Sequence, residues 1–435
     1  MPIPANGPAG DSTRRDRESP FHGIRPNKGT VALTNMEHGV MRTSLFPGID
    51  WVGAIDWNVR DFHSYNTFRG ATYNSYLIRD RDNAVVDSVK SPFFGRWADN
   101  IRRLAPSDSV KYIVCNHAEP DHSSGLPEAV KAFPNAQLVA GQKCRDIVVR
   151  YFGGADWNWR IVKTGDSIKL GDRTLRFIET PMVHWPDSMA TYVPEDGLLF
   201  SMDAFGQHFA TAERFDDEVD LATVMEEAKT YYANIVVSYS GFVRKALAAA
   251  EGLDIRMIAP SHGLIWRKNL DAILSAYRDW SSNRNRPKVA VFYDTMWEST
   301  ARIAEAIVDG AGLPGVFATL IHVRHSDLTH IATAFMDSAA FAFGSSTLNG
   351  RLMPAAAAAL VYMLGMKAPN KSCFAFGSYG WAGKGGPDQV EEYLKQGGYE
   401  LARPVLKCAW RPTPDILDEA RAAGRLLAEK ALQCV

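Results

Sequence analysis

Cysteine is scarce in this sequence, and its positions exclude two kinds of site. The five cysteines are scattered and form no CxxC pair; they are Cys115, Cys144, Cys373, Cys408 and Cys434. Without such a pair, these cysteines predict neither a four-cysteine iron site nor a disulfide framework. This cysteine usage is typical of a reducing compartment, and we expect a cytoplasmic protein.

The sequence also lacks long hydrophobic runs and an excess of charge of either sign. No apolar run reaches about 18 residues, which predicts no membrane span, and the start of the chain lacks the apolar centre of a secretory signal. Lysine and arginine number 48 against 49 aspartate and glutamate residues, which gives a net charge of -1. This balance excludes a global attraction to nucleic acid or to an anionic membrane, and we expect neither as a partner.

The length and the apolar content predict two folded parts. The chain has 435 residues, of which 46% are hydrophobic, and this is enough for two or three domain cores. Short apolar runs that alternate with helical stretches predict a first α/β domain over residues 41–280, after a flexible tail over residues 1–40. The polar segment 281–287 predicts a linker. Residues 288–435 alternate strand and helix at the spacing of a doubly wound parallel sheet.

The densest group of potential metal ligands follows a predicted strand. The strand YIVCN ends in the stretch NHAEPDH, where His117, Glu119, Asp121 and His122 place four ligand side chains within six residues. The chain leaves a sheet at the carboxyl end of a strand, so a loop there can fold its side chains around a centre. The pattern therefore predicts a metal site.

Three more candidate ligands each follow a separate apolar strand. They are His184 in TPMVHWPDS, Asp203 in LLFSMDAFG and His262 in MIAPSHG. The repetition of a strand followed by a ligand predicts loops that converge at one edge of a sheet. We take these seven residues as the predicted metal ligands and catalytic residues.

The seven side chains suit a pair of metal ions. We expect two groups that share one carboxylate: His117, Glu119 and His184 for one ion, Asp121, His122 and His262 for the other, and Asp203 between them. Two ions about 3.5–4 Å apart fit such a set. Mixed imidazole and carboxylate ligation suits iron, manganese or zinc, and the number of carboxylates favours iron or manganese.

Three loops of the second domain predict a site for a flat ligand that carries a phosphate. They follow the strands KVAVFY, SAAFAF and SCFAF, at the sheet edge where open α/β folds bind ligands. The first loop is rich in hydroxyl groups and enters a helix, which is typical of a phosphate site, and the absence of GxGxxG and of a P-loop lysine favours a monophosphate. Three aromatic residues can border a flat ring: Trp297, Tyr379 and Trp381.

The candidate contacts of this ligand come from all three loops. They are Thr295, Met296, Trp297, Ser299, Thr300, Ser345, Ser346, Thr347, Asn349, Gly350, Ser378, Tyr379, Gly380, Trp381 and Gly383.

Together these motifs resemble the flavodiiron proteins, or A-type flavoproteins. The pattern HxExDH with a distant His, Asp and His fills all seven ligand positions of that family, and WVGAIDWNVRDFH, RGATYNSYLI, HWPDSMATY and DAFGQHFATAERFDDEV are also similar. Hydrolytic relatives usually carry HxHxDH and bind zinc, whereas this chain has Glu119 in place of their second histidine. The resemblance implies an αββα metallo-β-lactamase-like domain, a flavodoxin-like domain, two iron ions and FMN.

The same resemblance implies an oxidoreductase that reduces dioxygen to water, nitric oxide to nitrous oxide, or both. FMN would relay electrons to the irons from an external donor, which could be a rubredoxin, another reductase or a reduced deazaflavin coenzyme. The resemblance also implies a head-to-tail homodimer, or a dimer of such dimers, in which the FMN of one subunit lies beside the diiron site of the other.

Two other functions fit parts of the sequence. One is a zinc-dependent hydrolase on the same scaffold, with a metal-activated hydroxide as nucleophile. The other is a non-catalytic electron carrier whose metal site is structural. Glu119 and the attached flavin domain argue against the hydrolase, and the placement of seven ligands on loops argues against the carrier.

Overall fold

The computed structural model describes residues 36–37, 40–41, 43–381 and 383–433. The predicted tail over residues 1–40 therefore lies outside the described residues except at positions 36, 37 and 40, and Cys434 lies outside them as well. The other four cysteines are buried free thiols. None of the described helices is both long and apolar enough to cross a bilayer.

In its described residues, the first part of the chain consists of short strands and seven α-helices. Its strands are β1 (Met36–Glu37), β2 (Val40–Met41), β3 (Thr43–Phe46), β4 (Ile49–Trp51), β5 (Ala54–Asp56), β6 (Asp61–Phe62), β7 (Tyr65–Asn66), β8 (Ala71–Tyr73), β9 (Tyr76–Ile78), β10 (Asn83–Val86), β11 (Val110–Val114), β12 (Gln137–Ala140), β13 (Trp159–Ile161), β14 (Ser167–Lys169), β15 (Thr174–Glu179), β16 (Met189–Val193), β17 (Leu198–Met202) and β18 (Met257–Pro260). Its helices are α1 (Phe94–Arg102), α2 (Pro120–Ser123), α3 (Leu126–Ala132), α4 (Gln142–Phe152), α5 (Leu221–Tyr231), α6 (Ser240–Ala249) and α7 (Leu270–Ser281).

Two of the sheets in this part pack face to face. One has the order β13-β12-β11-β10-β9-β4-β3 and the other β14-β15-β16-β17-β18. Buried side chains from both sheets, such as Val114 and Phe200, fill the space between them. Helices α1, α3 and α4 cover the outer face of the first sheet, and α5, α6 and α7 cover that of the second. This gives four layers in the order helix, sheet, sheet, helix.

The second part has a parallel sheet with helices on both faces. Its strands are β19 (Arg286–Asp294), β20 (Phe317–His322), β21 (Ser338–Leu348), β22 (Arg351–Leu352), β23 (Ser372–Tyr379), β24 (Glu400–Leu401) and β25 (Leu406–Ala409). Its helices are α8 (Ser299–Ala311), α9 (Leu328–Met336), α10 (Pro354–Gly365), α11 (Gly386–Gln396) and α12 (Pro414–Gln433). The sheet order β20-β19-β21-β23-β24, with β25 also beside β23, is that of a doubly wound fold with its switch point between β19 and β21.

The two parts are joined by a short connection and a shared core. Residues 282–285 connect α7 to β19, so the ends of the predicted linker belong to a helix and a strand. A π-helical turn over Tyr232–Val236 packs in the same hydrophobic cluster as Phe335 of α9. Lys229 Nζ lies 2.6 Å from Asp337 Oδ2 across the same boundary. The predicted domain boundaries themselves stay a prediction.

Candidate functional site

The seven predicted metal ligands meet at the carboxyl ends of strands in the two packed sheets. His117 and Glu119 follow β11, and Asp121 and His122 lie in α2 directly after them. The other three follow β15, β17 and β18; they are His184, Asp203 and His262. Each of the seven is 6% exposed or less. The structure thus brings together residues that lie up to 145 positions apart in the sequence.

Asp203 lies between the two expected ligand groups. Its Oδ2 is 3.1 Å from His184 Nε2 and 3.4 Å from His117 Nε2. Its Oδ1 is 3.0 Å from His122 Nε2 and 3.3 Å from His262 Nε2. Each oxygen therefore faces one pair of histidines, which is the geometry expected of a bridging carboxylate.

The other two carboxylates each belong to one group. Glu119 Oε2 is 3.2 Å from His117 Nε2 and 3.1 Å from His184 Nε2. Asp121 has one oxygen 3.3 Å from His262 Nε2 and the other 3.5 Å from His122 Nε2. The side chains that can share an ion are accordingly His117, Glu119, His184 and Asp203 in one group, and Asp121, His122 and His262 in the other.

Several of these ligand atoms are buried without a hydrogen-bond partner among the described residues. They are both carboxylate oxygens of Asp121 and of Asp203, and Nε2 of His122 and of His184. Buried polar atoms are almost always paired, so such a cluster requires an explanation. A pair of cations at the convergence point accounts for all six atoms, and imidazole with carboxylate is a donor set that iron accepts.

Residues outside the ligand set fix the orientation of two imidazoles. Asp187 Oδ2 lies 3.2 Å from His117 Nδ1 and also accepts a hydrogen bond from the Ala118 N–H. His262 Nδ1 lies 2.6 Å from the carbonyl oxygen of Thr72, which can only accept, so this nitrogen carries the proton. In both rings Nε2 therefore faces the cluster and can bind an ion once its proton is released, as in metal sites whose histidines form a hydrogen bond through the other ring nitrogen.

In the metal-free cluster, the negative charges of the carboxylates and the positive charges of the histidines stabilise each other. Burial alone would raise the pKa of Asp203, but the nearby His122 and its other histidine partners hold that pKa well below the usual range. Burial opposes protonation of His262, but its contacts with Asp121 and Asp203 raise its pKa to about 10. Protons on the histidines thus balance the carboxylates in the absence of metal, and cations can take their place.

Two of the residues at this centre are absent from the sequence prediction. Asp187 orients His117 as described above, and His63 has its Nε2 2.7 Å from Glu119 Oε1. Both lie in stretches that carried the family resemblance, HWPDSMATY and WVGAIDWNVRDFH. The sequence signal for these two residues is the family similarity of the stretches that contain them. That similarity does not show which side chain contacts a ligand.

Aromatic rings and a further histidine surround the cluster, and we call this group of side chains together with the ligands the metal pocket. Trp185 packs edge-on against His117 with ring centroids 5.2 Å apart, and Tyr73 and His208 have their rings 6.0 and 5.4 Å from that of His262. Tyr76 is oriented differently: its hydroxyl donates a hydrogen bond to the carbonyl of Pro260, and its ring packs on Phe200 between the two sheets.

The second domain has a cleft of about 680 Å³ at the carboxyl ends of its strands. Eleven of the fifteen predicted flavin contacts line it: Met296, Trp297, Ser299, Ser346, Thr347, Asn349, Gly350, Ser378, Tyr379, Gly380 and Trp381. A cleft of this size is typical of cofactor sites. Trp297 and Trp381 are 88% and 91% exposed, so they form a rim that projects into solvent.

The other four predicted contacts lie outside the cleft lining. Thr300 lies beneath it, where its hydroxyl is 2.9 Å from Ser346 Oγ and 3.0 Å from Ser378 Oγ, which ties the three loops together. Ser345 donates to the carbonyl of Ser346 and accepts from the Met353 N–H. Thr295 and Gly383 are also absent from the lining. Five residues of the cleft were not predicted: Glu298, Arg302, Leu348, Trp410 and Arg411.

Comparisons with known proteins match both halves of the chain. The model of the ODP family beta lactamase matches residues 71–263, and that of flavodoxin matches residues 291–424. A nitric oxide reductase of Moorella thermoacetica is 41% identical over 88% of this chain and 97% of that protein.

Two solved structures extend the comparison to the fold. The flavodiiron protein of Giardia intestinalis has a TM-score of 0.86 at 40% identity, over 91% of this chain and 98% of that one. The rubredoxin oxygen:oxidoreductase of Desulfovibrio gigas has a TM-score of 0.87 at 31% identity, over 91% of this chain and 99% of that one. The predicted fold class and the prediction of an oxidoreductase are confirmed, and the zinc hydrolase is not favoured.

Proposed function

The chain belongs to the flavodiiron protein family, and we propose that it reduces dioxygen to water, nitric oxide to nitrous oxide, or both, with electrons that enter through FMN. The observation that carries this proposal is the position of Asp203, whose two oxygens each face one pair of histidine Nε2 atoms at 3.0–3.4 Å. A structural site for a single ion has no need of such a shared carboxylate.

The proposed iron ligands are the seven predicted residues, in the two groups described above. The oxygens of Asp121 and Asp203 are buried and form no hydrogen bond with the described residues, which fits a pair of cations. When bound, the iron pair supplies the redox chemistry and the Lewis acidity that activate a diatomic gas. Asp187 and the carbonyl of Thr72 contact Nδ1 of His117 and of His262, respectively. The two rings therefore have the orientation needed to bind a metal before the metal is present.

The proposed FMN site is the cleft of the second domain. The hydroxyl of Ser299 and the amino terminus of the 13-residue helix α8 can bind the phosphate, with Arg302 at the cleft wall. Thr295 Oγ1 is buried and has no partner among the described residues, which also suits a ligand oxygen nearby. When bound, FMN supplies a carrier that exchanges electrons with both the donor and the iron pair. Trp297, Tyr379 and Trp381 border the space for a flat ring.

We further propose that two chains pair head to tail, so that the cleft of one copy faces the metal pocket of the other. Exposed aromatic residues at both places support this pairing. Trp297, Trp381 and Trp410 are 88%, 91% and 63% exposed around the cleft, while Trp57 and Phe68 are 50% and 44% exposed near the hairpin that covers the metal pocket. Exposed aromatic clusters of this kind mark interaction surfaces. The electron donor would be a separate molecule, such as a rubredoxin, another reductase or a reduced deazaflavin.

The decisive experiment is anaerobic stopped-flow mixing of the chemically reduced protein with dioxygen or nitric oxide, with iron and flavin quantified on the same sample. We expect rapid reoxidation of the flavin by at least one gas, in protein that contains about two irons and one FMN per chain. Protein that binds zinc in preference to iron, and whose flavin is reoxidised slowly by both gases, would contradict the proposal.

A further inference from the structure

The hairpin formed by β6 and β7 covers the metal pocket. The ring of Phe62 lies 4.8 Å from that of His208 and 6.5 Å from that of His262. At the turn of the hairpin, His63 Nε2 is 2.7 Å from Glu119 Oε1. Since Glu119 Oε2 is the oxygen beside His117, the hairpin contacts one end of this carboxylate while the other end remains available to an ion.

The turn of the hairpin has a backbone conformation that needs support from outside. His63 and Ser64 have φ values of 50° and 69°, in the left-handed region that asparagine and glycine prefer in hairpin turns. Other residues persist there only where surrounding contacts hold them. The position of His63 is therefore set by what the hairpin touches and not by a preference of its own turn.

One support comes from the flavodoxin-like domain. Thr329, in the first turn of α9, is 1% exposed. Its hydroxyl accepts a hydrogen bond from the N–H of Asn66 at 2.7 Å and donates one to the carbonyl of Asn66 at 3.1 Å. His330, the next residue, stacks on Phe68 with ring centroids 4.9 Å apart. Because Asn66 is the last residue of β7, one strand of the hairpin is fixed to the other domain.

We propose that Thr329 is a positioning residue for the metal centre of its own chain, and that it acts through the hairpin on Glu119. The inference rests on the proposed function in one respect, that Glu119 is an iron ligand. It follows that the metal centre reaches its final geometry only when the flavodoxin-like domain is docked on the first domain.

The test compares three variants of the full-length protein loaded with iron and FMN. Thr329→Val keeps the shape of the side chain and removes both hydrogen bonds to Asn66, and Thr329→Ser keeps the hydroxyl. Ser238→Ala is the matched control, because it removes a different hydrogen bond between the domains, from the Ser238 hydroxyl to the carbonyl oxygen of Gly365 at 3.1 Å. The readouts are amide hydrogen exchange over residues 61–66 and the rate of iron release to a chelator.

We expect Thr329→Val to accelerate exchange in the hairpin about tenfold, because the two lost hydrogen bonds together stabilise the hairpin by roughly that factor. The variant should also accelerate iron release. Thr329→Ser should restore both rates, and Ser238→Ala should leave both at the wild-type values. Unchanged hairpin exchange in Thr329→Val would overturn the inference, and so would faster exchange with unchanged iron release. A protein that shows the expected changes but reduces neither gas would support this inference and contradict the proposed function, so the two can fail separately.

Discussion

Asp203 contributes one oxygen to each of the two ligand groups, so its loss affects both proposed ions at once. We expect Asp203→Ala to bind less than the full complement of iron and to lose gas reduction by at least about 100-fold, more than the usual loss for a residue that only supports a ligand. The effect on folding should be much smaller, because the neighbouring histidines can release their protons. Iron analysis and stopped-flow reoxidation of the flavin measure the two effects.

A matched control for this variant is Asp217→Ala, which removes a carboxylate that pairs with Arg267 at 2.8 Å outside the metal pocket. We expect the control to keep its iron and its turnover, since exposed ion pairs contribute little. Full iron and full turnover in Asp203→Ala would show that Asp203 is not the bridge.

His208 makes the stability of the protein depend on pH. In the metal-free protein, burial, together with the positive charge of His262, lowers the pKa of His208 to about 3. In the unfolded chain the pKa of histidine is about 6.5, so between these two values only the unfolded state binds the proton. The free energy of unfolding should therefore decrease as the pH falls from about 6.5 towards 3, by up to about 1.4 kcal/mol per pH unit.

Denaturant unfolding of the metal-free wild type and the metal-free His208→Asn variant, at several pH values between 6.5 and 4, measures this contribution. Asparagine can still accept the hydrogen bond from Tyr65, whose hydroxyl lies 3.1 Å from His208 Nδ1, but it does not titrate. The slope of the free energy of unfolding against pH should be smaller in the variant. The difference should correspond to the uptake of about one proton on unfolding. Identical slopes in the two proteins would contradict the role of His208.

At the scale of single residues, the sequence predicts the ligand candidates better than the residues that orient them. HxExDH is a compact local pattern, and His184, Asp203 and His262 each follow an apolar strand. Asp187, in contrast, acts on His117 from 70 positions away, and His63 reaches Glu119 from a different hairpin. Such contacts depend on how the sheets and loops pack, and one-dimensional periodicity contains no information on that packing.

Among the secondary-structure elements, α8 and α12 make a contact that only glycine allows. A Cβ atom on Gly424 would lie 1.9 Å from the carbonyl oxygen of Ile307, and one on Gly310 would lie 1.9 Å from that of Arg421. Real Cβ atoms do not approach other atoms so closely, so a larger residue would force the helices apart. Because α8 begins at Ser299 on the wall of the cleft, this spacing also positions the proposed phosphate site.

We expect Gly424→Ala to destabilise the flavodoxin-like domain by about 1–3 kcal/mol, as overpacking usually does, and to weaken FMN binding. Thermal unfolding of the flavin-free protein and a titration with FMN measure the two effects. Gly365→Ala, near the end of α10, is the control, because a Cβ atom there meets nothing within 4 Å. If both variants unfold at the wild-type temperature, an alanine fits between α8 and α12, and their contact does not require glycine.

The same elements explain which flavin contacts the sequence could predict. The apolar runs predict β21 and β23, but not that these strands extend through Leu348 and Tyr379. The three residues that end β21, Ser346, Thr347 and Leu348, line the cleft, whereas Ser345 is buried and accepts a hydrogen bond from the Met353 N–H. Trp410 and Arg411 follow β25, whose four residues LKCA are too few to predict a strand from the sequence.

On the scale of the whole molecule, the two proposed redox sites lie in different domains, and the exposed aromatic residues near each site suggest that they meet between chains. This arrangement can be tested with mixed dimers. Asp203→Ala should disable the metal centre and leave the cleft intact. Ser299→Glu should disable FMN binding, because it adds a negative charge at the start of α8 where the phosphate would lie.

Each variant alone should be inactive, whereas equal amounts unfolded and refolded together should recover about a quarter of the wild-type activity. Half of the dimers would be mixed, and each mixed dimer of a symmetric pair would have one functional site of two. Gas reduction by the refolded mixture, with sedimentation to count chains per particle, provides the measurement. No recovery in a mixture that does contain mixed dimers would place both sites of a working pair in the same chain.

The tryptophans at the rim of the cleft give the molecule an internal optical signal. Trp297, Trp381 and Trp410 stand around the proposed flavin site and are largely exposed, whereas Trp97 and Trp266 are fully buried in the metal-binding part. A flavin absorbs at the wavelengths at which indole emits, so its arrival should quench the emission of the rim tryptophans most strongly. Loading of the cleft can thus be followed by fluorescence alone, with the buried tryptophans as a reference for the integrity of the rest of the chain.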